Sequence, residues 1–509
     1  MKFKKTIALL AAAALAGGIV TGCKGKETNP DEKVSLTWVF GGPGILEDSD
    51  MVWGEYNKLL ESYLPNTTVN FKCIPHADYA EKWRLMSAAR EDVDIAWIGW
   101  QLNFIDEVAK GSYLDITGLI DKYGQDMKKE FPDWLLGLTS VDGKIYAIPN
   151  YQMMTAPVGV LVPKEHVEKG WIDADKASAV FTSNKVVTKE DYKIFEDYLK
   201  TVLENEKNPP RVSKQFLTRA IKWKVGLPAE GREVITCNAV IKQGDKSCKV
   251  YDLISDFPGN NDYYEIVNDW YNKGIIRKDI LENPEETEGD EYLLWWCQML
   301  KGAENSYASK YSRPMTPIAL DSQDSLYISY KGSNTNTAIA AQSKHPDRAM
   351  QLLNLMNSKK GAPLLNMATF GIEGKHYKKI SENHIEFLGG STIGSSNNKY
   401  GYENWALGNA LDTYTTQYNF DGWNEYIDKE INKKAAPSCL TGFTLDTTPI
   451  KLEIAQYQAI MKEYEYLDAG TTPNYKEKLE ERNKKLKDGG SDKIVEEVQR
   501  QVNEWLKNK

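Results

Sequence analysis

The first strand of the predicted fold lies in the stretch Lys33-Val34-Ser35-Leu36-Thr37-Trp38-Val39-Phe40-Gly41-Gly42-Pro43-Gly44. Its first eight residues alternate between polar and apolar and then run apolar, which predicts a buried strand. Residues 41–44 predict a loop in which the backbone comes close to whatever lies above it. The strand therefore presents a glycine loop at its carboxyl end.

Strand and helix continue to alternate beyond this stretch. Helical patterns at 50–63 and 79–89 flank a strand predicted at 68–71, and a third strand follows at 94–98. This alternation favours an α/β unit with a mostly parallel sheet. In such sheets ligands bind beyond the carboxyl ends of the strands. Besides the glycine loop, Gly99-Trp100-Gln101 occupies that position.

The rest of the chain predicts a second lobe and a return to the first. Residues from about 155 to 320 have their own strands and helices, with an amphipathic helix at 195–203 and another helix at 263–271. An apolar strand at 336–341 and a helix at 346–357 follow, the helix with one apolar face. From residue 444 onward the pattern is strongly helical and highly charged.

Composition excludes some partners. The 509 residues carry a formal net charge of −9 with a pI of about 5.4. An acidic chain does not attract phosphate backbones, so nucleic acid is not expected as a partner. The chain has 14 Trp and 28 Tyr against 13 Phe. Trp and Tyr suit stacking on sugars, although large apolar cores use the same residues.

The N-terminus predicts export. Lysines at 2, 4 and 5 precede an apolar run at 7–20, which is shorter than the roughly 20 residues of a membrane span and has the layout of a secretion signal. The run ends in Val20-Thr21-Gly22-Cys23, which resembles the lipobox of bacterial lipoproteins. The alternative is an ordinary cleaved signal with an incidental cysteine.

The lipobox resemblance implies that Cys23 is lipidated and becomes the first residue after removal of the signal peptide 1–22. Removing three lysines would change the net charge from −9 to −12. Residues 23–33 are polar and predict a flexible tether. Two acyl chains on one cysteine anchor a protein firmly, whereas one chain does so only marginally.

The remaining cysteines and the histidines favour neither a metal site nor a cofactor. Five cysteines remain after Cys23, so at least one is unpaired within the chain. Cys237 and Cys248 could bridge a hairpin across 238–247, or stay reduced. The five histidines are scattered, and no Cys/His cluster has zinc spacing.

Several segments, in this order behind the lipobox, resemble family 1 extracellular solute-binding proteins of ABC importers. They are Tyr79 to Ile95, Asp142 to Pro149, Trp270 to Ile276, and Ala338 to Ala349. Three later segments resemble a branch of Gram-positive lipoproteins with an uncharacterised C-terminal module. These are Gly371 to Tyr377, Trp405 to Asn409, and Gly442 to Thr444.

The resemblance implies an α/β, two-lobed fold of the periplasmic-binding-protein type II, with a hinge of crossing strands and a cleft that closes on ligand. It places lobe one at 34–152 plus about 310–357. Lobe two would comprise 153–309 plus about 358–509, with the helical C-terminal module. The implied function is capture of a carbohydrate, in particular an oligosaccharide, outside the cytoplasm for ABC permease subunits in the membrane.

Loops at strand ends should line the cleft, with aromatic rings packing on the sugar and amides binding its hydroxyls. Trp295 and Trp296 are adjacent, so at most one reaches the cleft, and Trp405 and Asn409 are spaced to share a helical face. The predicted ligand-binding residues are Phe40, Gly42, Trp100, Gln101, Tyr151, Gln152, Trp296, Trp405, Asn409 and Phe443.

Three other functions remain open from the sequence. The same fold binds peptides or other solutes. A secreted glycoside hydrolase would also need Trp-rich clefts and a pair of carboxylates, but no such pair stands on a convincing strand-end motif, and neither G-x-S-x-G nor a Walker A loop is present. A surface adhesin that reuses the fold is the third alternative.

Overall fold

The structure is a computed structural model that describes residues 31–207, 211–212, 216–282, 292–293, 295–302, 313–322, 326–332 and 335–508. The predicted signal peptide, Cys23 and most of the predicted tether lie outside these ranges. In the part of the chain that the structure describes, no helix is long and apolar enough to cross a membrane.

The described strands and α-helices are named here in chain order. The strands are β1 Val34–Gly42, β2 Thr67–Pro75, β3 Ile95–Ile98, β4 Ser140–Val141, β5 Lys144–Ile145, β6 Ile148–Pro149, β7 Val158–Pro163, β8 Arg211–Val212, β9 Arg232–Thr236, β10 Ala239–Lys242, β11 Tyr251–Asp252, β12 Tyr292–Leu293, β13 Trp295–Gln298, β14 Met315–Ala319, β15 Tyr327–Ile328, β16 Asn336–Ile339, β17 Tyr377–Lys379, β18 His384–Phe387, β19 Thr415–Thr416 and β20 Ala436–Pro437. The helices are α1 Ser49–Leu60, α2 His76–Ala88, α3 Phe104–Ala109, α4 Thr117–Tyr123, α5 Gln125–Glu130, α6 Lys164–Glu168, α7 Ala174–Phe181, α8 Lys193–Asn205, α9 Asp262–Asn272, α10 Pro346–Met356, α11 Ala362–Phe370, α12 Trp423–Tyr426, α13 Lys451–Glu463, α14 Tyr475–Asp488 and α15 Ser491–Lys507.

Lobe one is built on a five-stranded sheet in the order β2-β1-β3-β16-β6. β1 pairs in parallel with β2 and β3, because α1 and α2 carry the chain back to the same edge each time. β16 follows lobe two in the sequence and pairs antiparallel with β3 and β6. The five-stranded sheet is complete only when the chain returns from lobe two as β16.

Lobe two has its own sheet and core. β7 lies between β13 and β14, antiparallel to both. Its core is rich in aromatic rings, among them Phe195, Phe216 and Trp270, with the rings of Phe216 and Trp270 stacked at 6.3 Å. The amphipathic pattern of α8 buries Phe195, Tyr198, Leu199 and Val202 against this core.

The C-terminal module consists of α13, α14 and α15, of which α13 and α15 share a core with the β9–β10 hairpin, whereas α14 buries Leu479 in the core of lobe two. α15 buries Ile494, Val498 and Val502, which share one helical face. A disulfide joins Cys248, beside the hairpin, to Cys439 at the start of the module. The hypothesis of a Cys237–Cys248 bridge is therefore wrong: Cys237 is a free thiol, because the partner of Cys248 comes from the distant C-terminal segment.

Three segments connect the lobes: 150–157, the described parts of 320–335, and 432–438. Gln152 of the first donates to the Thr335 hydroxyl of the second at 2.5 Å. Asn432 at the start of the third donates to the Gln152 carbonyl at 2.6 Å. β15 and β20, from the second and third segments, pair in parallel. The three connections form one hydrogen-bonded hinge.

The packing corrects the predicted division of the chain after residue 357. Residues between 364 and 435, including Tyr400, Tyr402 and Ile427, lie in the core of lobe one rather than of lobe two. α11 packs against α1. Only after the third connection does the chain join lobe two and the module.

Candidate ligand-binding site

Three loops of lobe one meet at the carboxyl edge of its sheet. β1 ends with Gly41 and Gly42, α2 begins at His76 directly after β2, and Trp100 follows β3. Parallel strands bring their carboxyl ends to the same edge, where α/β sheets bind ligands. The predicted loop positions are thus brought together.

At this edge four rings form a cluster that we call the aromatic floor: His76, Trp97, Trp100 and Trp405. Ring centroids lie 5.7 Å apart for Trp100 and Trp405, and 5.8 Å apart for the stacked pair His76 and Trp405. Trp97 is fully buried beneath, whereas Trp100 is 55% exposed. An exposed indole held by other rings is a preformed apolar surface, as small-ligand sites require.

Glycines leave room for this packing. A Cβ at Gly41 would lie 2.5 Å from the Trp97 ring, and one at Gly99 only 1.9 Å from it. Any larger residue at either position would displace the indole that supports Trp100. The glycine loop therefore serves the close approach of a ring to the backbone.

Polar groups surround the floor. His76 Nε2 lies 3.4 Å from Glu403 Oε1, and the Gln101 amide donates to the His76 carbonyl at 3.3 Å. Three buried atoms here lack a hydrogen-bond partner among the described residues: Glu403 Oε2, His76 Nδ1 and Gln101 Oε1. Buried polar atoms are nearly always paired in folded proteins. Their concentration beside an exposed indole marks this edge as a functional surface.

Trp405 is fixed to the hinge. It lies in a short helical turn, Asn404–Ala406, and its carbonyl accepts a 2.8 Å hydrogen bond from the Asn150 side chain. Asn150 begins the first connection, and its own oxygen accepts from the Thr337 hydroxyl of β16 at 2.9 Å. The aromatic floor is thus hydrogen-bonded to the first connection between the lobes.

Of the predicted residues, the structure brings together Gly42, Trp100, Gln101 and Trp405. Phe40 is a correction: it is 1% exposed and packs edge-on against Phe71 and Tyr402, because its side chain points into the core of lobe one.

Tyr151 and Gln152 belong to the hinge rather than to the floor. Tyr151 is 2% exposed and donates to Asp428 at 2.9 Å, and burial raises the pKa of Tyr151. Gln152 joins two connections through Thr335.

The last three predicted residues lie elsewhere. Asn409 does not share a helical face with Trp405, because it caps a separate short turn through Leu411 and Asp412. Phe443 packs edge-on against Trp505 inside the C-terminal module. The backbone of Trp296 pairs with Val160 in lobe two, and its side chain lies outside the described residues.

The sequence analysis did not predict His76 or Glu403 as site residues, and it did not predict that Trp97 supports Trp100. His76 occupies the same position after β2 that Trp100 occupies after β3, so a longer predicted second strand would have found it. No local sequence pattern pointed to Glu403, because its contact with His76 joins residues 327 positions apart.

Lobe two presents its own exposed indole. Trp223 is 53% exposed, and the Arg219 guanidinium lies 6.0 Å from its ring centroid. The next residue, Lys224, pairs with Asp321, which also accepts from the backbone of Val158 at the first residue of β7. Trp223 therefore lies near the hinge end of the lobe-two sheet.

Two lobes, three connections and an aromatic floor at a sheet edge define a two-lobed solute-binding fold, and the fold class predicted from the sequence is confirmed. Residues 439–507 match the family described as "Domain of unknown function (DUF3502)". The chain is 25% identical over 514 residues to a "Carbohydrate ABC transporter substrate-binding protein" of Streptococcus pneumoniae serotype 4 (strain ATCC BAA-334 / TIGR4), covering 99% of this chain and 97% of that one. The resemblance to solute-binding proteins with an uncharacterised C-terminal module is thus confirmed.

Solved structures agree on the fold. The crystal structure of the N-glycan transport solute binding protein (NgtS) from Streptococcus pneumoniae superposes with a TM-score of 0.75 at 23% identity, covering 94% of this chain and all of that one. Its complex with Man5GlcNAc gives a TM-score of 0.65 at 23% identity, covering 94% and 99%.

Proposed function

We propose that this chain is the substrate-binding lipoprotein of an ABC importer and captures an oligosaccharide between its lobes. Cys23 carries the lipid that holds it at the outer face of the membrane, and ABC permease subunits receive the ligand. The observation that carries the proposal is the exposed indole of Trp100 on its ring support, at the ligand-binding edge of the sheet.

The chemistry of the floor suits a sugar. The C–H face of a pyranose packs on an indole, while amide, imidazole and carboxylate groups bind its hydroxyls. His76, Gln101 and Glu403 supply these groups beside Trp100. A relative over almost the whole chain is named as a carbohydrate substrate-binding protein, which supports the same ligand class.

Lobe two would complete the site when the cleft closes. Trp223 is the exposed indole on that side, near the hinge end of the sheet. Aromatic surfaces from both lobes would then hold opposite faces of the glycan, and closure would bury it from water. A binding protein of this kind releases its ligand unchanged, so no catalytic pair is required.

Titration calorimetry with the purified protein tests the proposal. Man1GlcNAc, Man5GlcNAc and unrelated oligosaccharides form the panel, with peptides as controls, and each bound glycan is recovered and checked by chromatography. We expect saturable binding of at least one intact glycan, and a loss of affinity of about tenfold or more in Trp100→Ala, since aromatic anchors carry much of the binding energy.

The matched control is Leu85→Ala, which truncates a 63% exposed side chain on α2 of the same lobe. It should bind like the unmodified protein. Binding of peptides alone, or cleavage of the bound glycan, would refute the proposal. Equal affinity in Trp100→Ala would move the site away from the aromatic floor.

The membrane attachment has a separate test. Cys23→Ala should abolish the incorporation of a fatty-acid label into the protein, with no loss of glycan affinity in the purified domain. A Cys23→Ala variant that still carries the label is not lipidated at Cys23.

A further inference from the structure

A buried carboxylate stands behind the aromatic floor. The Glu403 side chain is 9% exposed, and its Oε1 lies 3.4 Å from His76 Nε2. Its second oxygen, Oε2, has no hydrogen-bond partner in the described ranges. Buried carboxylates are normally paired or saturated with hydrogen bonds, because desolvation of the charge is costly. Glu403 therefore holds hydrogen-bonding capacity that the protein itself does not use.

Two glycines border this carboxylate. A Cβ at Gly42 would lie 3.3 Å from Oε2, and one at Gly394 would lie 3.0 Å from Oε1. Within the part of the chain that the structure describes, its only ion-pair partner is His76, and neither Lys nor Arg pairs with it. No permanent cation in an ion pair offsets the negative charge of Glu403.

The negative charge of Glu403 acts on a ligand bound at the aromatic floor. Charges interact more strongly at a site from which water is excluded than in bulk solvent, and closing the cleft removes water. A sugar hydroxyl can donate a hydrogen bond to a carboxylate, whereas a sugar carboxylate can only be repelled by it. Like charges placed close together at an interface strongly disfavour a wrong partner.

We propose that Glu403 makes the site selective for neutral glycans and excludes glycans that bear uronic or sialic acids at the floor. The inference rests on the proposed function, since it assigns the ligand class of the same site. Glu403 acts as the specificity-determining residue, and His76 orients it by holding Oε1.

Three forms of one glycan separate charge from size. The probes are Man5GlcNAc, the same glycan with its terminal C6 hydroxyls oxidised to carboxylates, and the methyl ester of that oxidised form. We expect calorimetry with the purified protein to show the acid binding at least about tenfold more weakly than the ester, with the ester close to the parent glycan.

Glu403→Gln tests the residue, because it keeps the shape and removes the charge. The difference between acid and ester should shrink to about threefold or less, while neutral binding weakens modestly. The matched control is Glu91→Gln, because Glu91 is an exposed residue before β3, at the opposite edge of the same sheet. This variant should discriminate between acid and ester as the unmodified protein does.

The outcomes are distinguishable. Equal binding of acid and parent, or equal weakness of acid and ester, overturns the selectivity while leaving a carbohydrate-binding protein. Unchanged selectivity in a folded Glu403→Gln variant overturns the role of Glu403. If that variant does not fold, the comparison of acid and ester in the unmodified protein decides the selectivity. Failure to bind any glycan of the panel overturns the proposed function and this inference together.

Discussion

The Ser438 hydroxyl donates a 2.6 Å hydrogen bond to the buried carboxylate of Glu233 and so ties the third connection between the lobes to the β9–β10 hairpin. Glu233 also accepts from the Tyr327 hydroxyl at 2.6 Å, from the Ser329 hydroxyl at 2.5 Å and from the backbone of Tyr330 at 2.9 Å. Four donors from two connections thus converge on one side chain of the β9–β10 hairpin.

Glu233→Gln should destabilise the hinge. An amide nitrogen cannot accept hydrogen bonds, so at least one buried donor loses its partner, and we expect the free energy of unfolding to fall by about 1–3 kcal/mol. Urea denaturation measures the change. Glu230→Gln, at an exposed neighbouring position, should have no measurable effect, and equal stability of both variants would contradict the role of Glu233.

Gly99→Ala should disrupt the aromatic floor. The added Cβ would lie 1.9 Å from the Trp97 ring, so Trp97 must move and Trp100 loses its support. We expect glycan affinity to fall by about tenfold or more, in proportion to the loss of an aromatic anchor. Gly54→Ala in α1 has open space around it and should instead stabilise the protein by about 0.5–1 kcal/mol with unchanged affinity. Normal binding by Gly99→Ala would refute this packing.

Cys439→Ser should weaken the attachment of the module. The Cys248–Cys439 disulfide closes a span of 191 residues, and loss of such a crosslink costs a few kcal/mol, on the order of 2–5. Thermal unfolding should begin at a lower temperature in this variant. Cys237→Ser is the control, since Cys237 is a free thiol, and it should retain the stability of the unmodified protein. A matching decrease in the control would argue against the disulfide.

Trp223→Ala should lower glycan affinity without lowering stability. The indole is 53% exposed, so its loss removes little core packing, but a lobe-two contact with bound glycan would disappear. We expect an affinity loss of about tenfold, measured by calorimetry beside a melting curve. Unchanged affinity would place the lobe-two contact elsewhere.

Asp412 should make stability depend on pH. Burial, and then the nearby charge of Glu130, raise the pKa of Asp412 to about 7. The folded chain therefore binds a proton at pH values where the unfolded chain has lost it, so stability is highest below about pH 4 for this group and declines as the pH rises through 7. Asp412→Asn should remove that decline, raising the melting temperature at pH 8 relative to pH 5. Asp133→Asn, at an exposed position, should keep the original profile.

Local patterns predicted the elements well. The strand β1 and the helices α1, α8, α9 and α10 are confirmed within a few residues. In each of these elements the spacing of apolar residues along the chain is enough to predict the element. Trp100 could be predicted in the same way, because it directly follows the carboxyl end of β3, where α/β sheets bind ligands.

Long-range packing could not be predicted in the same way. Residues 371–435 are mostly irregular, and their place in lobe one depends on contacts such as that of Tyr402 with Phe40. Phe40 itself reads equally well as a cleft or a core residue until that partner is known. Glu403 and the Cys248–Cys439 pair likewise depend on segments that meet only in the finished fold.

The direction of β1 has a consequence for how the protein stands on the cell. Val34, its first residue, lies at the end of the sheet opposite the aromatic floor, and nine residues of strand span about 30 Å. The chain that precedes β1 therefore enters lobe one at the end of the sheet opposite the aromatic floor. An attachment of the kind proposed for Cys23 would thus join lobe one on the side away from the floor and leave the floor unobstructed.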